Sequence, residues 1–466
     1  MLLSLTIKNW MSFKDETIFE MISAIDSEPD SLTLDENPYK NRVFSLKKYE
    51  TKLLAQAAVF GGNASGKSNL FKALRFIKDF IVEPGDAYSE IQTAPFILAK
   101  ESLQQPSEFT ILIYVESDTS DENKSSEEIG PYDNEISKED GCVYEYKFTV
   151  NKTSVISESL TKIEVQDEIL LFARETNNIE FPGISDHTII EQLKFLFKNT
   201  RKNQLFLQAA ALFQNDTFIE VFDWFKYNLQ LISPDLIFAR IKSYLDEKSP
   251  FYLESNELLS TLDTSIDHFK VRKISQNFAI GRTLATENIS IREGQFTKIN
   301  DMLTNSNYYI TKELGKITAY QVDSYHKTED GDEISFDISH ESEGSQRLFE
   351  LLPVIAKTAD FRNNTVYFID EIDRSLHPLL TEKLVEIFLR NLDNNHQAQL
   401  IFTTHAINLL DKAKIRTDEV WLIDKKNGNK ESYLIRLTDF KKMPEIKDVG
   451  TSYMYGRLGG IPMLRQ

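Results

Sequence analysis

Three short apolar runs recur along the chain, and each ends in a chemically loaded residue. Ala57-Ala58-Val59-Phe60 runs into Gly61, Val366-Tyr367-Phe368-Ile369 into Asp370-Glu371, and Leu400-Ile401-Phe402 into Thr403-Thr404-His405. Apolar runs without alternation belong to strands buried on both faces, so these predict a parallel sheet. Helical spacing appears between them. Leu70, Phe71, Leu74, Ile77 and Ile81 predict a helix up to about residue 82, and Leu348, Phe349, Leu351, Leu352 and Ile355 predict one over 345–358. A third helix fits 379–392. Alternation dominates elsewhere: Leu3, Leu5 and Ile7 form a strand, as do 109–115 and 143–150, and the β pattern continues from Ser157 to Phe172. From Asp186 to Lys273 the period turns helical again, with Ile189, Ile190, Leu193, Leu196 and Phe197, then Phe218, Val221, Phe222, Phe225 and Leu229. Heptads are not sustained, so this is a compact insert rather than a coiled coil.

These patterns predict an α/β fold carrying an antiparallel β subdomain and a helical insert. The expected division is an N-terminal lobe over 1–185, a mainly helical insert over 186–330 and a C-terminal lobe over 331–466. Residues 28–50 are polar and turn-rich, and Ser117 to Asp140 is too polar to order itself by burial, so a mobile loop is expected there.

Composition narrows the setting. A hydrophobic content of 41% and a charged content of 27% are those of an ordinary soluble protein. No run long enough to span a bilayer is present, and the N-terminus lacks a basic leader and cleavage site, so no membrane association is expected. The single cysteine, Cys142, excludes a disulfide within the chain and a cysteine-based zinc site; a reducing, cytoplasmic location is the expectation. A net charge of −19 counts against wholesale wrapping of nucleic acid. Lys425, Lys426, Lys430, Lys441 and Lys442 form a modest positive cluster, read as a solvated face.

The chemistry starts at Gly61-Gly62-Asn63-Ala64-Ser65-Gly66-Lys67-Ser68-Asn69, a G-x-x-x-x-G-K-S loop between a strand and a helix. Its backbone N–H groups can turn inward onto phosphate oxygens, Lys67 reaches the β- and γ-phosphates, and the Ser68 hydroxyl is placed to ligate Mg²⁺. The helix adds its positive N-terminal end. A nucleoside triphosphate is the expected ligand. Asp370 and Glu371 end a parallel strand on the edge where ligands sit, Asp370 suited to Mg²⁺ and Glu371 to the attacking water. His405 ends another strand and is a candidate partner for the γ-phosphate or that water. Ser342 and Gly344, just before a helix, offer a hydroxyl and N–H groups to an anion, although the same residues suit a helix N-cap.

A P-loop, a Ser-x-Gly signature, a strand ending Asp-Glu and a strand ending in His, in that order, resemble the ABC-type ATPase heads of the SMC and RecF clan. The resemblance implies two heads sandwiching two molecules of ATP–Mg²⁺, with Ser342 and Gly344 of one chain completing the site of the other. Glu343 and Ser345 depart from the glycine-rich form of that signature, and His377 stands where SMC proteins carry Asp in the Ile372–Pro378 loop. Asn9–Glu16, the P-loop, Leu205-Phe206-Leu207 and Tyr455–Pro462 resemble more closely the RloA/AbiLi-type abortive-infection ATPases, which are related to the PARIS ATPase subunit AriA and more distantly to the OLD nucleases. That resemblance spans nearly the whole chain. It implies an anti-phage role with slow ATP hydrolysis, a homo-oligomer, a separately encoded effector such as a nuclease or toxin, and a phage protein as trigger. The stretch after His405 is too short for a further nuclease domain of the OLD kind. A RecF-like clamp on duplex DNA and a scaffold that uses ATP only structurally stay open as alternatives. No glutamine-loop counterpart stands out; Gln92 is left aside.

Overall fold

The computed structural model describes residues 1–25, 42–116 without 84 and 87, 141–233 without 212, 214 and 215, 241–274 without 263 and 264, 291, 296–301, 306–357 without 314, 364–393, 396–410, 415–426, 430–440 and 448–458. The Ser117–Asp140 loop, residues 28–41, Lys441, Lys442 and Gly459 to Pro462 lie outside the described residues.

All three unalternating runs enter one six-stranded sheet. Its order is Leu229–Ile232, Thr365–Ile369, Ala398–Thr404, Gln56–Gly61, Val420–Lys425 and Ser432–Arg436. The first five run parallel and the last pairs antiparallel to its neighbour. Successive side chains point to opposite faces of a strand, so each run feeds two cores. Ala58, Phe60, Tyr367, Ile369, Leu400 and Phe402 face one. Ala57, Val59, Val366, Phe368 and Ile401 face the other.

The second core holds the helix Lys67–Val82, which is sandwiched between the parallel sheet and a seven-stranded antiparallel sheet. That sheet contains Leu2–Lys8, Thr17–Glu20, Ser107–Val115, Cys142–Val150, Val155–Ile163, Glu168–Glu175 and Asn178–Glu180. Burying Leu70, Phe71, Leu74, Ile77 and Ile81 contributes on the order of 10 kcal/mol. This anchors the helix that begins at Lys67 against both sheets. The first core holds Glu343–Ile355 and Pro378–Arg390, the two helices expected over 345–358 and 379–392. The P-loop helix and the helix behind the Ser-x-Gly motif therefore cover opposite faces of one sheet. A mixed α/β fold with an antiparallel subdomain is borne out.

Two corrections concern the segment 186–330. Leu229, read as the last apolar position of a helix, opens the edge strand Leu229–Ile232. The helix Asp216–Asp223 passes through a π-helical turn, Trp224–Asn228, and the chain then pairs with Thr365–Ile369. Parallel pairing overrides the local period here. Among its described residues the segment is also not mainly helical. Its helices include His187–Asn199 and Pro250–Thr261, but His268–Ile274, Thr297–Asp301, Ser306–Glu313 and Lys316–Lys327 form an antiparallel sheet, with Glu333–Asp337 on its flank. The Tyr-, Ile- and Thr-rich run from Tyr308 to Val322 favours pleated packing over a helix.

Candidate functional site

The strand Gln56–Gly61 ends at a backbone that no side chain has room to join. A Cβ on Gly61 would lie 2.5 Å from Ser65 Oγ and 2.6 Å from the Ile423 carbonyl oxygen. Gly66 has a φ of 120°, and a Cβ there would meet Ser12 Oγ and Ser432 Oγ, each at 2.7 Å. Asn63 and Ala64 are exposed at the loop tip, with Ala64 in the left-handed region at φ 60°. Gly62, Ser65 and Lys67 are buried, and Ser68 and Asn69 are half-buried. The loop is braced from outside by the Asn9–Glu16 motif. Asn69 Nδ2 donates to Ser12 Oγ at 2.8 Å, Trp10 Nε1 donates to the Asn69 carbonyl at 3.2 Å, and the Ser432 N–H donates to the Ser12 carbonyl at 2.8 Å.

Lys67 folds back over this loop. Its ammonium donates to the carbonyl oxygens of Gly61 at 2.7 Å and Gly62 at 3.3 Å. Burial lowers its pKa, and Asp370, Asp373 and Glu371, in that order, oppose the shift. The P-loop lysine and the Asp-Glu strand end, some three hundred positions apart in sequence, thus act on each other electrostatically. His405 belongs to the same cluster. Lost hydration lowers its pKa most and the Lys67 charge lowers it further, whereas Asp373 and Glu371 pull it up.

The carboxylates are held from neighbouring strands. Asp370 is buried, its N–H donates to the Ile232 carbonyl at 2.8 Å, and its Oδ1 accepts from Thr403 Oγ1 at 2.6 Å. Glu371 sits at φ 53°, a left-handed conformation that a residue other than glycine adopts at a cost of about 1–2 kcal/mol. Asp373 accepts the His405 N–H through Oδ2 at 3.1 Å, and among the described residues its buried Oδ1 has no hydrogen-bond partner, nor has the buried Ser65 Oγ. Buried polar atoms are ordinarily paired. Two orphans beside a lysine, three carboxylates and a glycine cradle fit a site built for a polyanion with a hydrated cation. Among the described residues no three His, Cys, Asp or Glu side chains form a metal cluster by themselves, so Ser68 and Asp370 suit Mg²⁺ that arrives with its phosphates.

Ser342 and Gly344 are not part of this cluster. Exposed Ser342 caps the helix Glu343–Ile355, its Oγ accepting the Ser345 N–H at 3.1 Å. A Cβ on Gly344 would lie 2.8 Å from the Ser375 carbonyl oxygen, and Ser375 Oγ donates to Glu343 at 2.8 Å. Among the described residues neither Ser342 nor Gly344 shares a hydrogen bond or ion pair with the P-loop. His377 caps the helix Pro378–Arg390. Gln92 is exposed, its amide donating to the Glu90 carbonyl, and takes no part in the site. Of the lysine cluster, Lys426 is paired with Asp15 at 3.3 Å and Glu431 at 3.1 Å, so its charge is neutralised locally.

A protein-family model described as "AAA domain, putative AbiEii toxin, Type IV TA system" matches residues 57–411, from the P-loop strand to just beyond His405. The chain belongs to this family. No curated protein matches it. Solved structures similar to this family member include an SMC head bound to the C-winged helix domain of ScpA, at 12% identity over 93% of this chain and 97% of that one, with a TM-score of 0.38. The SMC head domain from Thermotoga maritima aligns at 12% identity over 93% and 98%, with a TM-score of 0.34. The recombination mediator RecF with ATP aligns at 12% identity over 93% and 97%, with a TM-score of 0.32. Superpositions this loose carry no functional inference.

Sequence reading missed three residues that this family member brings to the site. Asp373 was seen only as part of a loop, although an acidic residue two positions after Glu371 was a signal. Thr403 was hidden in a strand end quoted for its histidine. Ser432 carried no signal, because it meets the P-loop only through the antiparallel edge strand, where its Oγ donates to the Ser65 carbonyl.

Proposed function

We propose that this chain binds and slowly hydrolyses ATP with Mg²⁺, using nucleotide-dependent assembly to control a separate protein in anti-phage defence. The carrying observation is the convergence of Lys67 with Asp370, Glu371, Asp373 and His405 beside a loop that only glycine fits at Gly61 and Gly66. N–H groups of residues 62–68 take the phosphate oxygens, and Lys67 exchanges two carbonyl partners for the γ-phosphate. Ser68 and Asp370 would hold Mg²⁺, which when bound would neutralise phosphate charge. Glu371 accepts a proton from the attacking water as that oxygen bonds to phosphorus and the bond to the ADP oxygen breaks. His405, kept neutral by burial and by Lys67, is free to donate to the γ-phosphate.

Ser342 is exposed at the helix start and Gly344 is half-buried beside it, which suits donation to a second copy's nucleotide across a head-to-head pair. The toxin–antitoxin description of the family supports a separately encoded partner, for which co-purification with the product of the neighbouring gene, with and without ATP, is the test. ATP-dependent capture supports that role, and identical purification with and without nucleotide counts against it. For the enzyme, phosphate release by the full chain and by Lys67→Ala decides: loss in the variant is expected, and equal rates overturn the assignment.

A further inference from the structure

Thr403 lies on Ala398–Thr404, two positions before His405, and is fully buried. Its hydroxyl has one proton to give and lone pairs to receive. The proton goes to Asp370 Oδ1 at 2.6 Å, and a lone pair takes the Glu371 N–H at 2.8 Å. The Thr403 carbonyl also takes the Ile372 N–H at 3.1 Å. One residue of the adjacent strand therefore holds three consecutive residues of the acidic turn. The neighbouring Thr404 does something different, its hydroxyl accepting the Ala406 N–H at 2.9 Å within its own loop.

Glu371 needs such a hold. A left-handed glutamate at the end of a strand relaxes unless its N–H is captured, and the captor here is the same oxygen that fixes the carboxylate of Asp370. With Oδ1 engaged by Thr403, the other oxygen of Asp370 is the one left to receive a water of the Mg²⁺ shell. We propose that Thr403 is a positioning residue that aims Asp370 at the metal and Glu371 at the water through a single hydroxyl. The inference rests on the ATP–Mg²⁺ reading of the site. It predicts that the dependence on Mg²⁺, rather than the grip on nucleotide, is what Thr403 controls.

The test compares full-length wild type, Thr403→Val, which keeps the shape and loses the hydroxyl, and Thr403→Ser, which keeps the hydroxyl. A fluorescent ATP analogue is titrated in EDTA and in graded MgCl₂, and phosphate release is followed alongside. In EDTA all three are expected to bind within about threefold of one another. The Mg²⁺ concentration that half-maximally tightens binding rises about tenfold or more in the valine variant, as expected for losing a hydrogen bond to a charged group, and turnover falls at least tenfold. The serine variant behaves as wild type. Valine titrating Mg²⁺ like wild type, or serine as damaged as valine, overturns the inference. If the valine variant does not fold, Thr403→Ala is read by the same criteria. Wild type that binds no analogue in either buffer overturns the ATP reading and this inference with it, a result distinct from a bound wild type with an indifferent Thr403.

Discussion

Replacing Glu371 by glutamine removes one charge and little else. The side chain keeps its shape, the backbone keeps its φ of 53°, and its N–H still reaches Thr403 Oγ1. If Glu371 is the base for the attacking water, turnover falls by about 10²–10⁴-fold, the range for loss of a positioned acid–base group. That corresponds to roughly 3–5.5 kcal/mol in the barrier. Affinity for ATP is unchanged or tighter, because one of three carboxylates acting on Lys67 has gone. Glu371→Asn separates chemistry from strain. Asparagine tolerates the left-handed region better than glutamate, so this variant is equally slow yet more stable by up to about 1 kcal/mol, part of the ordinary cost of that conformation. Phosphate release, calorimetric titration with ATP and thermal melting read the three quantities. Glutamine at 371 turning over within threefold of wild type removes Glu371 from its role. An asparagine variant that melts well below wild type refutes the strain argument.

Two more outcomes follow from particular contacts. Largely enclosed Lys78 donates to the Leu229 carbonyl, and burial pulls its pKa down to about 8; between about 8 and its ordinary 10.5 the unfolded chain holds a proton that the folded one has released, so stability rises with pH. Lys78→Met lacks this titration, and denaturant midpoints should show wild type gaining on it by a few kcal/mol, at about 1.4 kcal/mol per unit, over that window; parallel curves refute the shift. Lys67→Ala and Ser342→Arg are each expected to be inactive alone, and if the signature acts in trans an equal mixture recovers up to about a quarter of wild-type turnover, since about half of randomly formed dimers are mixed and each of those has one intact site of two. No recovery on mixing at concentrations that support wild-type assembly counts against the shared site.

What was legible in the sequence was local. The P-loop, its helix and the acidic strand are written in contiguous residues whose spacing is dictated by phosphate geometry and by burial on both faces of a sheet. The place of Leu229–Ile232 was not legible, since a four-residue strand at a sheet edge is decided by its partner Thr365–Ile369 and not by its own period. The antiparallel sheet within 186–330 was obscured by the strong helical pattern that precedes it. Leu205-Phe206-Leu207 stood out as a motif, but its reason is tertiary: buried Glu158 accepts the N–H groups of Phe206 at 2.7 Å and Leu207 at 2.8 Å while paired with Arg174. Thr403 was invisible for the same reason, because a hydroxyl that aims two carboxylates has no signature until the strands are side by side.

The shared site rests on Lys67 and Asp370 serving one triphosphate across some three hundred positions of sequence. Its most direct test is steady-state phosphate release at saturating ATP and Mg²⁺ by wild type, Lys67→Ala and Asp370→Asn. The shared site predicts measurable turnover by wild type and its loss in both variants. Turnover that survives either substitution, or a folded wild type that neither binds nor hydrolyses ATP, would contradict it.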